Sequence, residues 1–486
     1  MTLKLHNTLT GRLDEFVSQT PNQVKLYTCG PTVYDYLHVG NWAAYIYWDI
    51  LVRVLIANGY SVERVMNITD VGHLVSDGDE GEDKLERGAR REGKTAWEVA
   101  EYYGQDFIRG LDRLGMIMPE HLAKATDFIP QQLELVRILR TKGFTYQIDD
   151  GIYFDTAKFP AYADFAHLDL EALKAGARVE FNPQKRHHSD FAVWKFIPTG
   201  TTRDMGWPTP ADLTEEGTAR SGFPGWHLEC SAMAMAILGE TLDIHTGGID
   251  HIPVHHTNEI AQSEAASGQR FSNYWLHNNH LKVDGTKISK SLGNGFSLND
   301  LVKRGYSLQD FRMLVLQSHY RTEGNFTFDN LTAAHNRLHN WRNAAALRHQ
   351  THDTLRDDDD NDSDDKALSL YATSQAIIEA LNNDLGTPAA LTIIDAAFTR
   401  LTSARLNTVN RHALLKVLET IDETLGLELM VNSLDIGDEA KNLIIKRQQA
   451  RDNKDWPASD GLRDQLLTQS IVIRDTAHGS VWEYLV

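Results

Sequence analysis

Between residues 24 and 68 the chain spells out a strand, a helix and a second strand in close succession, and this unit restricts the fold more than any other feature. Val24-Lys-Leu-Tyr-Thr-Cys29 alternates like a half-buried strand, and Gly30-Pro31 breaks it. A helix-length apolar pattern follows from Trp42 to Ala57, and Ser61 to Ile68 returns to a strand pattern. Two strands joined through a helix cross over into a parallel pair. The stretch therefore predicts an α/β, Rossmann-like parallel sheet with ligands bound at the carboxyl ends of its strands.

The rest of the chain divides by its pattern. Residues 119–223 are mixed, with a helix expected over 131–142 and a strand over 151–154, and read as an insertion into a catalytic domain over 1–300. Open α/β character returns with a strand at 242–248, a helix over 256–266 and a strand at 274–281. Residues 301–350 read as a connecting helical region and 367–436 as a helical bundle. The acidic run Asp357-Asp-Asp-Asp-Asn-Asp-Ser-Asp-Asp365 falls in a stretch, 351–366, expected to be a solvated linker because its carboxylates repel one another. Residues 437–486, which contain Ile471-Val-Ile-Arg-Asp475, suggest a small C-terminal α+β domain.

Composition sets limits. A chain of 486 residues with 42% apolar content can bury a large core spread over about three domains. The formal charge of −19 argues against indiscriminate nucleic-acid binding while permitting a local basic groove. Met1-Thr-Leu-Lys-Leu-His6 lacks a basic segment followed by an apolar one, and no later run is long enough to span a bilayer, so a cytoplasmic protein without a membrane partner is expected. Only two cysteines occur, Cys29 and Cys230, which excludes a disulfide framework.

Three groups of residues carry chemistry. His255 and Glu259 are spaced i,i+4, so that on a helix they project from one face and can chelate one ion. With Cys29 and Cys230 they make an acceptable tetrahedral zinc set, and thiolates favour zinc over magnesium. From spacing alone the two cysteines read equally well as small buried apolar residues and His255 as a core histidine. His38-Val-Gly-Asn41 stands at the start of the first helix, where Gly40 admits a nucleotide to the backbone and the helix N-terminus offers amides to phosphate; a capped turn is the simpler alternative. Lys287-Ile-Ser-Lys-Ser291 is a basic loop suited to triphosphate charge, or else a pair of solvated surface lysines.

Their order along the chain decides between these readings. The sequence resembles the cysteinyl-tRNA synthetase family over nearly its whole length. His38–Asn41 and Lys287–Ser291 look like the two signatures of class I synthetases. The family-specific stretches are Cys29-Gly-Pro-Thr-Val-Tyr-Asp35, Gly225-Trp-His-Leu-Glu-Cys-Ser-Ala-Met233 and Pro253-Val-His-His-Thr-Asn-Glu-Ile-Ala-Gln-Ser-Glu264. Asn41 departs from the commoner motif, which has a second histidine there.

The resemblance implies one zinc ion per chain on Cys29, Cys230, His255 and Glu259, selecting the thiol of L-cysteine. ATP, with magnesium, would lie on His38, Gly40, Asn41, Lys287 and Lys290, and of these His38, Asn41, Lys287 and Lys290 would be catalytic. Gly30, Thr69, Trp226, His245 and Asp250 would hold the amino acid, and Arg451, Trp456, Asp460 and Asp475 would read the anticodon of tRNA(Cys). The implied activity is that of a ligase acting as a monomer: cysteinyl-adenylate forms first and is then transferred to tRNA. Two rivals remain at this point: a shorter relative that passes cysteine to an amino sugar, and a non-catalytic tRNA-binding paralogue.

Overall fold

The computed structural model describes residues 2–72, 83–168, 182–289, 292–351, 354–357 and 369–485. Most of the acidic run, residues 358–365, lies outside them. The parallel sheet has five strands, in spatial order Ser272–Asn278, Leu242–Gly248, Gln23–Thr28, Ser61–Ile68 and His121–Lys124. The chain builds outward from Gln23–Thr28 to one edge, then lays the last two strands on the other side. The reversal falls between Gln23–Thr28 and Leu242–Gly248, where Thr28 lies beside Thr246. At such a switch the connections leave in opposite directions and a crevice opens beyond the strand ends.

The first helix of the sheet, α1 (Val39–Ala57), begins before the apolar pattern that announces it. Its start is set by a capping box: the His38 ring accepts from the Asn41 amide, and the Asn41 side chain accepts from the His38 amide. Most of α1 is buried, because the sheet covers one side while the helices Leu308–Leu316, Leu370–Asn382 and Arg411–Leu425 pack on the other. One apolar core therefore runs from the sheet into the helical region. Within it Asp49 of α1 is paired with Arg53 at 2.7 Å and with Arg312, and Arg312 also donates to Leu425 O at 2.7 Å. Burial alone would raise the Asp49 carboxyl, but the Arg312 and Arg53 guanidiniums outweigh it and hold it below the usual carboxylate range.

The strand expected at 274–281 ends at Asn278; Leu281–Val283 is a separate short strand that pairs in parallel with Gly324–Phe326. The helix expected over 256–266 is Thr257–Ser267, entered through a π-helical turn at Ile252–His256. Inside the region read as an insertion, a five-stranded antiparallel sheet forms in the order Thr145–Ile148, Gly151–Phe154, Phe191–Phe196, Arg220–Pro224, Trp207–Thr209. Its strand Arg220–Pro224 leads through Gly225 directly into the helix Trp226–Leu238. At the C-terminus the helices Asp438–Asp452 and Trp456–Thr468 pack with the hairpin Ile471–Thr476/Gly479–Tyr484 around Ile444, Leu466 and Trp482. Among the described residues no helix is long and apolar enough to cross a membrane.

Candidate functional site

Both cysteines are delivered to the crevice at the switch. Cys29 follows the central strand, and its amide donates to Thr246 O at 3.1 Å, while Cys230 sits one turn into the helix Trp226–Leu238. Cys29, Cys230 and His255 bring their donor atoms within 4.8 Å of one another, and Cys29 also meets His245, His256 and Glu259 within the same limit. The four expected ligands therefore converge, through two overlapping groups that share Cys29. His255 lies in the π turn and Glu259 in the α-helix after it, so their i,i+4 spacing spans a change of helix type; His255 Nε2 lies 3.6 Å from Glu259 Oε2. The wider π turn keeps both His255 and His256 buried and close to the carboxylate.

The donor set fits a soft cation. Burial, and then the facing Cys230 thiol, pushes Cys29 well above the ordinary thiol range. Cys230 is also raised: the hydrogen bond to Cys29 lowers it, but burial together with the nearby carboxylates of Glu259 and Glu229 outweighs that bond. Burial and the neighbouring imidazoles drive His256 well below its usual value. Glu259 Oε2 is buried and makes no hydrogen bond, although the imidazoles of His245, His255 and His256 stand 3.3 to 3.8 Å away. A thiophilic divalent ion would satisfy this orphaned oxygen and convert the thiols to thiolates.

The groups expected around the amino acid separate into two sets. Gly30, Thr69, Trp226 and Asp250 line a cleft of about 550 Å³ together with Cys29, Cys230 and His255. The Trp226 ring stacks on His255 with centroids 4.6 Å apart. His245, expected among the substrate-holding residues, does not line the cleft. It is fully buried behind the ligands, with Nε2 3.3 Å from Glu259 and its ring stacked on Trp275 at 4.5 Å. From the strand Leu242–Gly248, next to the central one, its imidazole reaches Glu259 from behind.

His38, Gly40, Asn41 and Lys287 line the opposite end of the same cleft. A side chain at Gly40 would come within 2.9 Å of Ile288, so glycine lets the lysine loop close over the helix start. Because the His38 ring accepts the Asn41 amide through Nδ1, a neutral His38 carries its proton on Nε2 and can donate from there. Lys290 lies outside the described residues.

Comparison with known proteins places this geometry. Residues 15–336 match the family described as tRNA synthetases class I (C), catalytic domain. A cysteine–tRNA ligase of Treponema denticola is 38% identical over 511 aligned residues that span the whole of both chains. Cysteine–tRNA ligase 1 of Burkholderia lata is 40% identical over 99% of this chain and 96% of that one. The chain belongs to the cysteine–tRNA ligase family. In fold it resembles Mycobacterium tuberculosis methionyl-tRNA synthetase, solved in complex with methionyl-adenylate, with a TM-score of 0.58 at 14% identity over 85% of this chain and 93% of that one.

Outside the ligase cleft, Arg451, Trp456 and Asp475 come together at the C-terminus. Arg451 pairs with Asp475 at 3.0 Å and lies 5.9 Å from the Trp456 ring, which is 55% exposed and so open to a stacking partner. Asp460, one turn further along that helix, pairs with Arg463 at 3.4 Å. Arg447 was not legible as part of this group: it is buried one turn before Arg451 and reaches Asp475 at 3.4 Å. In the cleft the sequence reading passed over Asn67, Asn278 and His280, all of which line it. The polar run Asn278-Asn279-His280 at a strand end was the available signal.

Proposed function

We propose that this chain, as a class I cysteine–tRNA ligase, activates L-cysteine with ATP and joins it to the 3′ end of tRNA(Cys), with one zinc ion per chain held by Cys29, Cys230, His255 and Glu259. The observation that carries the reading is the meeting of Cys29, Cys230 and His255 in the wall of the cleft that also holds His38 and Lys287. Cysteine and serine differ by one atom, and shape alone separates such isosteres weakly. When bound, zinc supplies a soft Lewis acid that lowers a thiol pKa and prefers thiolate to a neutral hydroxyl.

Around that ion the chain's own residues bind and orient. Asp250 accepts from the substrate ammonium, Gly30 and Thr69 form the facing wall, and Trp226 covers the thiol end. The carboxylate of cysteine attacks the α-phosphate of Mg-ATP in line, releasing pyrophosphate, and no protein nucleophile is required. His38 Nε2–H and the amides of α1 hold the phosphates, with Asn41 fixing the ring. Lys287 and Lys290 meet the charge that grows on the leaving pyrophosphate. A ribose hydroxyl at the tRNA terminus then attacks the acyl carbonyl of the mixed anhydride, losing its proton as the aminoacyl ester forms and the bond to AMP breaks to release AMP. Residues 437–486 form the anticodon-reading unit, in which Arg451 and Trp456 stack on unpaired bases and Asp460 and Asp475 accept from base amino groups.

One preparation tests the whole reading by ATP–pyrophosphate exchange, tRNA charging and metal analysis. The expected result is about one zinc per chain, exchange with cysteine and not serine, and charging of tRNA(Cys). Exchange without charging would move the chain to the amino-sugar ligases. A metal-depleted enzyme that kept its full preference for cysteine over serine would remove zinc from the selection.

A further inference from the structure

One side chain in the cleft wall has no part in the scheme above. Asn67, near the end of the strand Ser61–Ile68, is 2% exposed and reaches both walls of the amino-acid pocket. Its Oδ1 accepts the Gly30 amide at 2.7 Å, and its Nδ2 donates to Thr69 Oγ1 at 3.0 Å. The amide orientation follows from the chemistry: a backbone N–H can only donate, so the carbonyl end must face Gly30 and the amino end must face Thr69. The backbone holds the same approach, because a side chain on residue 30 would overlap Asn67 O at 1.7 Å. The Thr69 hydroxyl then turns its proton to Glu229 Oε2 at 3.3 Å.

With one lone pair taken by Asn67 and the proton directed at Glu229, the Thr69 oxygen has one lone pair left, and that lone pair can only accept. An acceptor in this position suits an ammonium group and repels a carboxylate. We propose that Asn67 is a positioning residue for amino-acid recognition, fixing the Gly30 backbone and polarising the Thr69 hydroxyl so that the pocket receives the α-ammonium of the substrate. The proposal rests on the reading of this cleft as the cysteine site.

The test is Asn67→Asp, which keeps the size and the acceptor for Gly30 but replaces the donor facing Thr69 with a second acceptor. In cysteine-dependent ATP–pyrophosphate exchange the KM for cysteine is expected to rise about tenfold, as for the loss of one oriented hydrogen bond. The KM for ATP, the zinc content and the melting temperature are expected to stay near wild type. Asn67→Ser, smaller and uncharged, should raise the cysteine KM in the same way if the buried carboxylate weakens the fold. In a Thr69→Val background Asn67→Asp should add little, because the group it acts through is gone. A cysteine KM unchanged in both Asn67 variants, a parallel rise in the ATP KM, or independent effects in the double variant would each overturn the proposal. Wild-type enzyme without cysteine-dependent exchange would instead overturn the assignment of the cleft.

Discussion

At the junction of α1 with the helical region, Asp49 and Arg312 are completely buried and closed upon one another. Asp49 Oδ1 accepts the Ile117 amide at 2.8 Å, and Arg312 also donates to the carbonyls of Leu425 and Leu114. At the strand ends the buried polar groups are arranged in the opposite way. Two thiols face each other, and Glu259 Oε2 stands among three imidazoles without a hydrogen bond. Both regions hold ionisable groups out of water at a cost; one offsets it internally, the other leaves it for a cation to offset. The first arrangement is complete within the protein, and the second is open to an ion.

The contrast can be broken at either end. Cys230→Ser should abolish zinc binding and lower cysteine-dependent exchange by about a thousandfold, or about 4 kcal/mol, read by metal analysis and exchange on the same sample. Exchange within tenfold of wild type in a metal-free variant would erase the distinction. Arg312→Met leaves buried Asp49 with Arg53 as its remaining guanidinium partner and should cost about 3 kcal/mol in denaturant unfolding, while exchange per folded molecule stays near wild type. The pH dependence follows from the depressed Asp49 carboxyl. Its stabilisation is complete above the unfolded carboxylate pKa of about 3.9 and is lost as the pH falls through the lower folded value, so the variant should show a shallower loss in acid. A loss of activity equal to that of Cys230→Ser would show that the closed pair also serves catalysis.

The smallest effect is expected at Asn41. A histidine there can still accept the His38 amide through a ring nitrogen, so Asn41→His should leave adenylate formation within about tenfold, or about 1.4 kcal/mol, whereas Lys290→Ala should cost considerably more. Equal losses from the two changes in single-turnover adenylation would refute the ranking.

What the sequence made legible followed the range of the interactions involved. Ser61–Ile68 and Gly151–Phe154 appear where the pattern puts them, because alternation is a local signal. The start of α1 at Val39 lies ahead of the apolar pattern because a side-chain cap sets it, and the His38–Asn41 motif, not periodicity, was the signal that marked it. Spacing could suggest His255 with Glu259, but it treated the segment as one α-helix and could not foresee the π turn. That Cys29 and Cys230 share a site is a tertiary fact, and only the family resemblance anticipated it. The resemblance put His245 among the groups that hold the amino acid, yet its strand directs it inward onto Trp275. Asn67 gave no sign at all, since its importance lies in which end of an amide faces which neighbour.

The helix Trp226–Leu238 turns Leu228 and Ala232 toward the core under the antiparallel sheet, and Cys230 and Met233 toward the core that contains Cys29. A cation gripped by both thiols would therefore act as a rivet between this helix and the end of the strand Gln23–Thr28, on the side of the helix that faces away from the antiparallel sheet. Chelation would unfasten that join as well as silence the chemistry, so stripping the ion should raise amide exchange along the helix before the rest of the molecule melts.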